Sequence, residues 1–221
     1  MNFPAQLFPA NWSIVAFLPL IALWAWSVRT GGWGRLRDPG QLNVWAGTVV
    51  ALAVLWSLRA GVQPGLNFHL LGAMAFVLMF GPQLALIGLS VVLAVVTLNG
   101  AAAWSAYALN ALVMVVVPVL IAHGFYRFVE RRLPNHFFVY VFVTAFLGAA
   151  LSMATTGLAA TLLLYAADVY PAEYLLQNYL PYYVLLGFAE ATITGMCVTI
   201  FVVYRPAWVG TFDDSRYLLN K

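Results

Sequence analysis

Residues 67–98 read NFHLLGAMAFVLMFGPQLALIGLSVVLAVVTL, without a single Asp, Glu, Lys or Arg. Two apolar runs, 67–80 and 82–98, flank Gly81-Pro82. Proline lacks the N–H that a helix interior needs and its ring clashes with the preceding turn, so the pair predicts two short spans joined by a tight hairpin at a membrane face.

Comparable runs lie at 12–28, 41–60, 106–127, 136–163 and 178–204. About 20 residues of helix cross the ~30 Å of hydrocarbon in a bilayer. The predicted fold is therefore an all-α membrane protein, a polytopic bundle of about seven transmembrane helices. Composition excludes a water-soluble alternative. The chain is 64% apolar and 8% charged, where soluble domains carry about 25% charged residues, and its mean hydropathy is +0.91. It reads as one integral membrane domain over 1–221, with a plug-like amino-terminal segment at 1–11, the bundle at 12–204 and a tail at 205–221.

The few charges set orientation. Arg29, Arg35 and Arg37 follow the first span, Arg127, Arg131 and Arg132 the fifth, and Arg205, Arg216 and Lys221 the last. The other side carries Arg59, with Asp168 and Glu173. Nine of ten basic residues thus share one face, which the positive-inside rule makes cytoplasmic, with the amino terminus outside and the carboxyl terminus inside. The first charge is Arg29, so the start lacks the basic region of a signal peptide and the first hydrophobic segment is expected to be retained. These features are those expected of a multi-pass inner-membrane protein. The net charge of +3 follows from topology and gives no reason to invoke nucleic acid.

Cys197 is the only cysteine, which excludes an intrachain disulfide and a Cys-x-x-Cys site. No phosphate-binding G-x-x-x-x-G-K-[ST] loop, H-E-x-x-H or G-x-S-x-G occurs. An enzyme, and an ATPase in particular, is not expected. Tyr165 to Pro181 mixes tyrosines, acids and prolines, as an interfacial loop or short surface helix does.

The remaining candidates are polar groups at membrane depth, where each is costly. Glu190, in GFAEATITG, reads either as a substrate-path, proton or second-shell group or as an interhelical hydrogen bond. Asn110, in YALNALVM, could bond across helices. His69 follows Asn67, a candidate N-cap, and a neutral imidazole there could offer a nitrogen to a metal. His123 and His136 flank the Arg127–Arg132 cluster and read as headgroup-level residues. Met74, Met79, Met114 and Met153 read as packing. The start, MNFPAQLFPANW, is too apolar for a solvated tail and too broken for a helix. Irregular backbone in a membrane survives only when buried in protein or lining a cavity, so a lid over an outward-facing pocket is expected, with the Met1 amine available as a ligand.

Taken together these blocks resemble the CbiM/NikM-type membrane subunits of energy-coupling-factor transporters for cobalt and nickel. Met1, Pro4, Pro9 and Trp12 match the family's opening, and His69-Leu-Leu-Gly through Phe80-Gly81-Pro82 its His-rich block. YALNALVMVVVPVLIAHGFYR is similar to the family's G-A-N-A-F-S-M segment, and AEATITGMCVTIFVVYRP to its E-A-x-I-T-G close. The resemblance implies an extracytoplasmic site for transported Ni2+ or Co2+, held by the amino-terminal nitrogen, a histidine after the initiator methionine, the intervening backbone amide nitrogen and a second histidine. No resident cofactor is implied. The implied partners are ATPase subunits and a transmembrane coupling subunit. Carried over, Met1 supplies the amine and His69 the second histidine, with Asn110 and Glu190 behind the site or along the path. The other histidine position is Asn2, and an amide is a poorer ligand than imidazole for these metals. The alternatives are a component of the same fold for a different or non-metal substrate, or a non-transporting scaffold.

Overall fold

The computed structural model describes residues 2–100 and 102–219. The chain forms α1 (Ala10–Thr30), α2 (Pro39–Ser57), β1 (Ala60–Gln63), β2 (Leu66–Phe68) and α3 (Ala73–Leu98). It continues through α4 (Trp104–Arg132), α5 (Val139–Ala166), α6 (Ala172–Asn178) and α7 (Leu180–Tyr204). Among the described residues, six helical stretches are long and apolar enough to cross a membrane: α1 to α5, and α6 with α7 taken together. The protein is accordingly mostly helical and multi-pass.

Local sequence accounts for several boundaries. Pro39 opens α2 with its φ already set, and the Asp38 carboxylate accepts from Gly40 N–H at 2.9 Å, supplying the cap that an apolar helix lacks. α4 contains a π-helical stretch, Leu112–Val116, and α5 opens with another, Val139–Leu147. α6 occupies the Tyr165–Pro181 segment as a short helix, as its composition predicts.

α3 and α4 are the most buried spans, while α1 and α2 lie at the periphery. The outward faces are apolar: Ile14, Leu18, Val184 and Leu185 are each 70% exposed. Apolar surface on that scale is costly in water and neutral in hydrocarbon.

The 67–80 span needs correction. Its first part is not helical, because β1 and β2 form an antiparallel hairpin (Ala60↔Phe68, Gly61↔Asn67, Gln63↔Leu66) and an irregular stretch runs to Gly72. Helix begins at Ala73, with Gly72 at the N-cap position, so Asn67 is a strand residue and not the cap of this helix. The apolar count could not separate a buried extended segment from a helix turn.

The Gly81-Pro82 break is real. Gly81 has φ 81° and ψ 169°, a conformation that is essentially reserved for glycine. Beyond it the chain folds back, since a β-carbon added at Gly88 would lie 2.4 Å from the Phe76 ring. In an unbroken helix those residues would be roughly 18 Å apart. Residues 73–80 are therefore a half-helix antiparallel to the rest of α3.

The break strips the half-helix of partners for its last carbonyls, and the tail supplies them. Gly210 N–H donates to Met79 O at 3.0 Å, while Thr211 donates to Leu78 O through N–H at 3.2 Å and Oγ1 at 2.8 Å. Arg35 also donates to Met79 O, as well as to Ala207 O and Trp208 O, and its guanidinium lies 4.8 Å over the Phe80 ring.

Gly81→Ala is expected to destabilise the protein by about 1–3 kcal/mol through backbone strain alone, with no neighbour in the way. Gly47→Ala, in open space on α2, should be neutral or stabilising by up to about 1 kcal/mol. Denaturant unfolding of the detergent-solubilised protein checks both.

Candidate functional site

The polar groups singled out by sequence converge on two irregular segments, the stretch around His69 and the amino-terminal residues. Leu71 and Gly72 lie just outside α3, so their N–H groups have no helical acceptor. Both point at Glu190 on α7: Leu71 N–H donates to Oε2 at 2.8 Å and Gly72 N–H to Oε1 at 2.6 Å. Trp56 at the end of α2 donates from Nε1 to Leu71 O at 3.1 Å. Its ring lies 4.8 Å from the His69 ring. The imidazole is thus fixed by a neighbouring ring and by a loop clamped on both sides.

His69 is 3% exposed, and its Nδ1 lies 3.0 Å from Leu70 O. With Nδ1–H donating to that carbonyl, Nε2 keeps its lone pair. Nε2 is buried and has no hydrogen-bond partner among the described residues. Burial disfavours a charged imidazolium, which favours the neutral ring at this place. A buried, oriented and unpaired imidazole nitrogen is the form a metal ligand takes.

Residues 2 and 3 are tied beside it. Asn2 N–H donates to Asn67 Oδ1 at 2.6 Å. Asn110, from α4, takes both main-chain groups of Phe3, accepting its N–H at 2.8 Å and donating Nδ2–H to its carbonyl at 3.1 Å. Phe3 itself is fully buried. The Asn2 side chain is 2% exposed, and neither its Oδ1 nor its Nδ2 has a partner among the described residues. Met1 lies outside the described residues. Among those described, no group of three His, Cys, Asp or Glu could hold a metal. Any cation here would therefore draw on imidazole, amide, main-chain or amine donors.

Glu190 and Asn110 thus act on main chain, as positioning residues. Beside Glu190 and the loop it holds, a cavity of about 310 Å³ opens between α2, α3 and α7, lined by Leu70, Gly72, Thr48, Met79, Glu190 and Cys197 among others. Met74, Met79, Met114 and Met153 are buried in the apolar core. Asn67 and Trp56 carry positioning roles that the sequence reading missed. Asn67 sits two residues before His69, the spacing that puts side chains on one face of an extended strand, and that spacing was the available signal.

A buried site held by irregular backbone within an apolar helical bundle defines a multi-pass membrane protein with a polar interior site. The chain belongs to the CbiM family, the cobalt uptake substrate-specific transmembrane region, whose family model matches residues 2–208. The family is one of transport components. The cobalt transport protein CbiM of Moorella thermoacetica is 29% identical over 160 residues, 72% of this chain. The match covers 61% of that relative, so the chain spans about three-fifths of its length. Two crystal structures share the fold. One, of a truncated transition metal transporter, gives a TM-score of 0.79 at 17% identity over 92% of this chain and 98% of its own. The other, of a transition metal transporter, gives 0.77 at 19% identity over 91% and 92%.

Amide hydrogen exchange separates the two clamps. Asn110→Ala should speed exchange at Phe3, and Glu190→Ala at Leu71 and Gly72, each by at least about tenfold and each leaving the other segment near its original rate. Each stranded buried N–H costs about 1–3 kcal/mol.

Proposed function

We propose that this chain is the substrate-capturing membrane component of an energy-coupling-factor-type uptake transporter for a divalent transition metal, nickel or cobalt. The observation that carries the reading is that, among the described residues, buried His69 Nε2 and the buried Asn2 side chain both lack a hydrogen-bond partner, with Asn2 tied by its N–H to Asn67, two residues before His69. The proposed ligands are His69, Asn2 and the Met1 amine, with residues 1–11 as a plug over the site. Family membership and the shared fold support a metal cargo. ATP hydrolysis is assigned to separate subunits, joined through a transmembrane coupling subunit.

We also propose seven crossings, counting α3 as two, in a bacterial or archaeal inner membrane. The contact of Phe76 with Gly88 supports that count. Arg35 joins the α1–α2 connection to the Gly81 turn and to the tail, so these three share one face. The basic residues of that face make it cytoplasmic and put Asn2 and His69 toward the outside.

A second reading has one observation in its favour. The unpaired Asn2 amide presents a donor and an acceptor side by side, which would also suit a small polar non-metal substrate.

His69→Ala is expected to abolish cobalt- and nickel-stimulated uptake and weaken metal binding by at least about tenfold. Unchanged uptake and affinity would refute the metal reading. For topology, in a Cys197→Ala background, a membrane-impermeant maleimide should label Gln63→Cys in intact cells and Ser215→Cys only after permeabilisation. The reverse pattern would invert the orientation.

A further inference from the structure

We infer that Asn2 sets the coordination chemistry of the site, ligating a divalent cation through its side-chain Oδ1 while its main-chain N–H stays protonated on Asn67. The inference rests on the metal reading above. It specifies a mixed nitrogen–oxygen site that leaves the cation part of its water, in place of a planar all-nitrogen one.

Three observations lead to it. First, the Asn2 carboxamide is 2% exposed and neither of its polar atoms has a partner among the described residues, although the Asn2 N–H and both main-chain groups of Phe3 are hydrogen-bonded. Buried amides are normally hydrogen-bonded, and removing water without compensation is costly. The unpaired groups are an acceptor oxygen, which can meet a cation, and an NH2, which can donate to water bound on it. Second, the other unpaired acceptor of this region is His69 Nε2, a neutral imidazole nitrogen. Imidazole and carboxamide oxygen together accept first-row divalent ions without imposing planarity.

Third, the Asn2 main-chain nitrogen is already committed as a donor, 2.6 Å from Asn67 Oδ1. An amide nitrogen ligates only after losing its proton. Once bonded to two carbons and a metal it has no in-plane direction left for Asn67. Ligation there would cost a proton and break the hydrogen bond to Asn67. A side-chain oxygen needs none of these changes. Oxygen and water donors exert a weak field, so nickel(II) would enter as a six-coordinate paramagnetic ion and cobalt(II) as a high-spin one.

The test uses the full chain in detergent, titrated separately with nickel chloride and cobalt chloride. Affinity is read by calorimetry and nickel spin state by magnetic susceptibility. The expected result is a paramagnetic nickel complex. Asn2→Ala should weaken binding by at least about tenfold and Asn2→Asp should preserve or tighten it, since both keep the main-chain nitrogen. A diamagnetic nickel complex of the unmodified chain, or an Asn2→Ala variant with unchanged affinity, would overturn the assignment while leaving the metal reading intact. Binding of neither metal by the unmodified chain would overturn the metal reading and this inference with it.

Discussion

The two hydrogen bonds from Leu71 and Gly72 to Glu190 hold the rest of the site in place. A bundle embedded in hydrocarbon satisfies its backbone within helices, and any segment that leaves helical geometry must find partners inside the protein. Residues 69–72 leave it, which lets His69 present Nε2 with no competing bond. The cost of that irregularity falls on Leu71 and Gly72, and one carboxylate removes it at both. His69 is therefore positioned by a residue that it does not touch.

The same constraint shapes the amino-terminal segment and the far end of the half-helix. Asn110 completes both main-chain groups of Phe3, holding an extended residue inside a helical bundle, and Asn67 takes the N–H of Asn2. At the Gly81 turn, the Leu78 and Met79 carbonyls lose their helical donors and accept instead from Arg35, Gly210 and Thr211. Thr211 is itself held by the Tyr140 hydroxyl at 2.7 Å. Residues 73–80 thus form a short rod of about 12 Å, fixed at one end by the carboxylate behind the site and at the other by the tail. The loop carrying His69 and the tail bear on opposite ends of one element.

Much of this was legible in the sequence, because some signals depend on one physical quantity. Hydropathy located the spans apart from the start of the 67–80 one, and Gly81-Pro82 announced a break because proline cannot continue a helix. The β1–β2 hairpin was not legible: Leu66, Phe68, Leu70 and Leu71 are as apolar as a helix turn, and only tertiary packing decides between the two. Asn67 was misread for the same reason, as a cap for a helix that starts six residues later. His69, Asn110 and Glu190 stood out because polarity inside apolar runs is rare. Their division of labour was hidden, since their partners are main-chain groups distant in sequence.

Glu190 shows why the residue type matters as well as the position. The sequence left open whether it served a path or an interhelical side-chain bond, and the structure gives it main-chain donors. Two neighbouring N–H groups, one on each carboxylate oxygen, require two acceptors with a short separation. Glutamine has nearly the same shape but one acceptor oxygen, and its NH2 would face a second N–H at hydrogen-bond distance. Threonine or asparagine, the usual polar glue between membrane helices, likewise offers a single acceptor. A carboxylate is the side chain that closes both bonds, and the charge-poor interior tolerates it because the loop it holds supplies those donors.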